Sequence, residues 1–245
     1  MADSADPAQR EQSPIGSLEA PVIGLVAAIP AKALKTWAQA FFRPVDTYNE
    51  GKGDPAANNA LKQFAMAGLF SGMVAIIALL PFVFLGTVGA TMHPSLAFLP
   101  WFVALPAILV LAPVSAIISG YVGSAVYFIL AKIFGGNGSY KDQTFAYSLL
   151  YGSNALFEAP FVLLSLIPIV GFVFSLANLA INIYIWLYNN YKVMRSVHAL
   201  SQGKAAAVVL IPPIVAAMLL VVATVFLGLM FFGLKGLPSM ADGMS

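Results

Sequence analysis

The stretch LAFLPWFVALPAILVLAPVSAIISGYVGSAVYFILAKIF, residues 96–134, carries one charge, Lys132, in 39 positions. As a single helix it would be about 58 Å long, nearly twice the roughly 30 Å hydrocarbon thickness of a bilayer. Pro100, Pro106 and Pro113 crowd its first half. Two readings follow. Either 96–106 is an interfacial or kinked lead-in to one span over 107–134, or two spans meet at a tight proline turn. The choice sets the side of the membrane on which every later segment lies, and the charges decide it.

Four further apolar segments flank this stretch, at 64–88, 145–167, about 172–191 and 208–232. With one span in 96–134 the chain makes five passes. Arg10, Lys32, Lys35, Arg43, Lys52, Lys62, Lys132, Lys141, Lys192, Arg195 and Lys204 then share one side, and only Lys235 lies on the other. Such asymmetry marks the basic side as cytoplasmic. Two spans in 96–134 would scatter the later charges, so five spans are expected, with the N-terminus cytoplasmic and the C-terminus outside. Composition agrees: 60% of the residues are hydrophobic and 9% charged, against about 25% charged in a soluble domain. The fold class is an all-α, polytopic transmembrane helix bundle with an N-terminal amphipathic helix.

Four regions follow: a disordered tail at 1–20, a cytosolic or interfacial amphipathic segment at 21–62, a five-span membrane domain at 63–233, and a tail at 234–245. The acidic start of the chain has no basic n-region followed by an apolar core, so it does not read as a secretory signal. Within 21–62, Lys32, Lys35, Gln39 and Arg43 share one helical face, while Leu34, Trp37, Phe41 and Phe42 share the other. A basic face opposite an aromatic one suits a helix in the headgroup region, with Lys32, Lys35, Trp37 and Arg43 as lipid-interface residues. The same pattern also suits a helix packing its aromatic face on the bundle. Asp54-Pro55 reads as the cap and first position of the helix leading into the first span, and His93-Pro94 as part of the turn after it.

Glu158 is the only acid inside an expected span, where a charge costs about 2.5–3.5 kcal/mol. With the hairpin turn near 167–169, residues whose numbers sum to about 336 lie at equal depth. Asn178 then faces Glu158, and Asn182 faces Asn154. Each pair is spaced i, i+4, so the four form a polar ladder along one stripe of each helix. The ladder can serve as a proton or substrate path, or as interhelical glue. Gly68 and Gly72, and the small residues Ser115, Ala116, Ser119, Gly120, Gly123 and Ser124, allow close helix packing within one chain. The glycine-rich loop at 135–139 lacks the Gly-Lys-Ser/Thr ending of a phosphate-binding loop. His198, beside Arg195, Ser201 and Lys204, reads as a surface histidine. The absence of cysteine excludes disulfides and thiolate chemistry. No metal-ligand cluster, carboxylate pair or nucleophile–base pair is evident, so no catalytic, cofactor or metal residues are assigned and the chain is not read as an enzyme.

Four short motifs, in order, carry a family likeness. Phe42-Arg-Pro-Val-Asp-Thr-Tyr48 resembles the Pro-x-x-Thr/Ser-aromatic element that opens prokaryotic members of the Yip (Ypt-interacting-protein-type) family. Phe134-Gly-Gly-Asn-Gly-Ser-Tyr140 is similar to that family's Gly-Gly-x-Gly-Ser-aromatic loop. Ile167-Pro-Ile-Val-Gly171 resembles its Pro-x-x-Gly turn, and Val197-His-Ala-Leu-Ser201 with Lys204-Ala205 its His-x-Leu-Ser…Lys/Arg-Ala stretch. The likeness covers about 41–232. It departs at Tyr147-Ser-Leu-Leu-Tyr151, where relatives carry Tyr-x-x-x-Pro. The resemblance implies a five-helix membrane domain with a cytosolic N-terminus. Eukaryotic members act in vesicle trafficking and bind small GTPases. The matched loops are of the prokaryotic kind, so that role is not carried over.

The expected function is therefore that of a non-enzymatic membrane organiser or adaptor, or an accessory subunit of a membrane complex, in the inner membrane of a prokaryote. Its partners would be the lipid bilayer and a protein that meets the basic cytosolic face, with oligomerisation open and no nucleic acid. The alternative is a small transporter or channel using the stripe around Glu158.

Overall fold

The computed structural model describes residues 29–54, 58–89 and 94–235, and their side chains apart from 83–89, 94–102 and 231–235. The 1–20 tail, Pro55, the turn residues 90–93 with His93, and most of the 234–245 tail lie outside the described residues. Among the described residues every regular element is helical. The elements are α1 (Ala31–Phe42), α2 (Pro44–Lys52), α3 (Ala60–Gly89), α4 (Pro94–Ile133), α5 (Tyr140–Leu164), α6 (Gly171–Ile183) and α7 (Asn190–His198). A π-turn (Tyr184–Asn189) joins α6 to α7, and α8 (Gln202–Lys235) ends the described chain.

Residues 96–134 resolve into one helix. α4 runs unbroken from Pro94 to Ile133, its three prolines inside it. α3 begins at Ala60 rather than at Pro55, because Asn59 takes the capping role: its Oδ1 accepts the Lys62 N–H at 3.0 Å. Ser139 caps α5, accepting the Asp142 N–H at 3.1 Å, so the Gly-rich loop ends in a conventional helix start.

Among the described residues four helices are long and apolar enough to cross a membrane: Ala60–Phe82, Val103–Ile133, Gly171–His198 and Gln202–Met230. α5 is the exception among the five expected spans. Its 25 residues include Lys141, Asp142, Gln143, Thr144, Ser148, Ser153, Asn154 and Glu158. The reason is its position. α5 touches α1, α2, α3, α4, α6 and α7, and its residues 143–150 are buried without interruption. A helix enclosed by protein needs partners for its polar groups rather than an apolar exterior. α8 is the opposite case. Ala205, Val208 and Val209 are buried, whereas the large apolar side chains from Ile214 to Met230 are exposed, Met218 at 65% and Leu229 at 68%. That surface suits acyl chains, not water.

Close approach holds α3 to α4. A Cβ added to Gly68 would meet Ala112 O, Ala116 Cβ and Pro113 Cα, each at 2.6 Å, and one on Gly72 would meet Ala112 Cβ at 2.9 Å. On Gly120 it would collide with the Phe64 ring, and on Gly123 with the Tyr147 phenol. The small residues therefore serve packing within the chain.

Gly68→Leu should lower the stability of the detergent-solubilised protein by at least about 1–3 kcal/mol through overpacking. Gly228→Leu, at a position with no atom within 4 Å, should stay within about 0.5 kcal/mol of wild type. Thermal unfolding followed by circular dichroism measures both. Equal effects would contradict the α3–α4 seam.

Candidate functional site

Three polar nodes lie along α5. The lowest is the expected ladder. Glu158 Oε2 accepts from Asn154 Nδ2 at 2.8 Å, and Glu158 Oε1 accepts from Asn178 Nδ2 at 3.3 Å. α5 and α6 are thus joined by a carboxyl held between two amides. The second rung of the ladder does not form across the hairpin. Asn182 Nδ2 donates to Asn178 O at 3.0 Å and to Asn178 Oδ1 at 3.3 Å, within its own helix. The i, i+4 spacing that aligned the four residues lets each asparagine reach along its helix, and this replaces an Asn154–Asn182 bond. Asn154 Oδ1 is left buried without a partner.

The middle node is Trp37, fully buried at 0% exposure. Its Nε1–H donates to Gln63 Oε1 on α3 at 2.7 Å, and its carbonyl accepts the Ser153 hydroxyl of α5 at 2.7 Å. Gly152 provides the room, since any Cβ there would strike the indole. This corrects the assignment of Trp37 to the lipid interface: the protein takes the aromatic face because a glycine hollow and two polar partners receive it. Lys32, Lys35, Gln39 and Arg43 remain exposed on the opposite face. Phe42 is 65% exposed, while Phe41 stacks on Phe157 at 3.9 Å and packs against Tyr184. Asn189 Nδ2 closes this corner by donating to Phe41 O at 2.8 Å.

The highest node corrects the reading of His198 as a surface residue. His198 is 1% exposed, and its Nε2 lies 3.1 Å from Oε1 of Gln143, itself fully buried. The Gly-rich loop lies over it. Asn137 N–H donates to His198 O at 3.2 Å, and a Cβ on Gly136 would meet His198 Cβ at 2.8 Å. The two loop motifs, far apart in sequence, form one contact. Gln63, Ser153 and Gln143 were not singled out from sequence. Their only signal was a polar side chain in an apolar stretch, with Gly152 beside Ser153 marking room for a large ring.

Around these nodes α2 fastens to the start of α5. Lys52 pairs with Asp142 at 3.6 Å, and Tyr48 packs on Phe145. Burial pushes the Tyr48 phenol above its usual value, against the opposing pull of Lys52. Lys32 pairs with Asp54 at 3.6 Å and Arg43 with Asp46 at 2.9 Å. Among the described residues no group of three His, Cys, Asp or Glu side chains could hold a metal ion.

This assembly, from the Pro-Val-Asp-Thr-Tyr element of α2 to the His198 contact, coincides with a known domain: the family model of the Yip1 domain matches residues 38–225. The chain belongs to the Yip1 family. No curated protein and no solved structure matches it. The Yip1 match takes in the end of α1, the Gly-rich loop, the α5–α6 turn and most of α8. All three nodes therefore lie within or against the domain, with Trp37 at its edge.

Glu158→Leu would strand the Asn154 and Asn178 amides and should lower stability in detergent by about 1–2 kcal/mol. Glu158→Gln keeps an acceptor and offers an N–H to the unpartnered Asn154 Oδ1, so it should remain within about 0.5 kcal/mol of wild type. Equal losses in thermal unfolding would mean that the carboxylate charge, not its hydrogen bonds, sustains the seam.

Proposed function

We propose that this Yip1 family protein is a non-enzymatic membrane organiser or adaptor, or an accessory subunit of a membrane complex, and that it meets protein partners through the basic end of its bundle. One observation carries the reading. At that end Lys35, Lys62, Lys132, Lys141, Arg195 and Lys204 are exposed, while the ion pairs described above engage Lys32, Arg43 and Lys52. The side chains are carried on packed helices, so the charge is presented in a fixed pattern, which favours selection of an acidic partner surface. The basic asymmetry supports placing this end in the cytoplasm of a prokaryote and the C-terminus outside. Five helices, α3, α4, α5, α6 and α8, then enter the inner membrane.

A second reading, a small transporter or channel, draws on the unpartnered Asn154 Oδ1 beside Glu158. An unused acceptor next to a carboxyl can receive a cation. It ranks second because the described carboxyl already has two amide donors.

Affinity purification in mild detergent, compared between wild type and a Lys132→Glu/Lys141→Glu/Lys204→Glu variant of matched thermal stability, tests the adaptor. A stoichiometric partner should copurify with wild type and be lost from the variant. No such partner, together with proteoliposome cation flux that Glu158→Gln abolishes, would replace the adaptor with the transporter.

A further inference from the structure

Trp37 gives two helices a common level, because it bonds Gln63 on α3 and Ser153 on α5. Beyond that level α3 continues for 26 residues to Gly89, about 39 Å at 1.5 Å per residue. α5 continues for only 11 residues to Leu164, about 16 Å. Its partner arm α6, the first 13 residues of the continuous Gly171–His198 helix, returns to the same level, where Tyr184 packs on Phe41. The α5–α6 hairpin is thus much shorter than the α3–α4 hairpin beside it.

On the side of α1 and α2 that level meets water. Lys32, Lys35 and Arg43 of α1 are exposed, as are Asp46 and Glu50 of α2. Five charges cannot sit among acyl chains at about 2.5–3.5 kcal/mol each. With the membrane surface at α1, arms of about 16 Å (α5) and about 20 Å (α6) end inside a hydrocarbon layer of roughly 30 Å, short of its far side.

The turn itself is built for that place. Residues 165–170 read Ser-Leu-Ile-Pro-Ile-Val. Leu166, Ile167 and Val170 are exposed at 40–46%, and Ile169, at the tip, is 98% exposed. A turn that emerged into water would carry polar residues. Most of its backbone is also provided for: the N–H groups of Ser165, Leu166, Ile167, Val170 and Gly171 donate to carbonyls within the hairpin, Pro168 has none to satisfy, and the Ile169 N–H at the tip is the one without such a bond. Irregular backbone in hydrocarbon requires such internal pairing.

We infer that α5 and α6 form a re-entrant hairpin that enters from the cytoplasmic side and whose apolar tip ends among the acyl chains instead of reaching the outer face. The word cytoplasmic rests on the orientation proposed above; the depth of the tip does not. A hairpin that returns to its own side leaves the placement of every basic residue unchanged, so three full spans plus the hairpin give the same charge asymmetry as five spans. The hairpin adds more cross-section to the leaflet it enters than to the other. It also places Glu158 only about 8 Å below the Trp37 level, five residues along α5, near the headgroups.

The chain has no cysteine, so single cysteines can be introduced at Ile169, Ile167, Ser201 and Ser239 in the full chain in sealed membrane vesicles of both orientations. Ile169→Cys and Ile167→Cys should resist a membrane-impermeant maleimide from either side and react after detergent is added. A nitroxide at Ile169 should be accessible to oxygen and shielded from a water-soluble nickel chelate. Labelling of the tip from the face that exposes Ser239→Cys would mean a full crossing and overturn the inference. Labelling from the face that exposes Ser201→Cys would overturn it too, by placing the turn outside the bilayer. Ser201→Cys reacting from the extracytoplasmic face would refute the orientation alone, with the tip readout still deciding the hairpin.

Discussion

The placement of Trp37 is the constraint on which the rest of the structure depends. A fully buried indole uses its ring N–H on Gln63 and its carbonyl on Ser153, and it fills the hollow that Gly152 leaves. Losing such a ring costs about 3–5 kcal/mol. Its two bonds fix α1 across α3 and α5 at one height. From that crossing Phe41 is set against Phe157 and Tyr184, and α2 is led along the polar half of α5 to the Lys52–Asp142 pair. The helix that looks like a detachable lipid-binding strip is part of the bundle's packed end.

α5 explains why so much polarity is tolerated in a chain of this composition. Gln143 and Ser148 lie in its upper, protein-enclosed half, and Ser153 lies at the Trp37 level. They meet His198, a backbone carbonyl and Trp37 respectively. Below that level the polar count falls to Asn154 and Glu158, which bond each other and Asn178. Polarity decreases with depth along the same helix, and the apolar turn completes the trend. α8 needs no such arrangement, because beyond Val209 its side chains face outward and its backbone bonds are internal to the helix.

Much of this was legible in the residues, and the failures have physical causes. Equal depth of Glu158 and Asn178 followed from mirror counting about the Ile167–Ile169 turn, since both arms rise at the same rate per residue. The Asn154–Asn182 rung failed because a partner four residues away on the same helix is as near as one on the neighbour. Trp37 was ambiguous because an amphipathic face looks alike whether lipid or protein covers it. His198 misled because its cover, Gly136 and Gly138, and its partner Gln143 lie more than fifty residues away in sequence. For residues 96–134 the choice lay between one span with a kinked lead-in and two spans meeting at a proline turn; one helix runs unbroken through the prolines, and Pro113 lies against the Gly68 approach.

Hydrogen–deuterium exchange of the full chain in lipid nanodiscs tests the Trp37 anchor most directly. Amides of α1 should exchange as slowly as those of α5 near Ser153, and Trp37→Ala should release α1 while the α3–α4 amides stay protected. Rapid exchange of α1 in the wild-type chain, or protection of α1 that survives Trp37→Ala unchanged, would contradict the anchor.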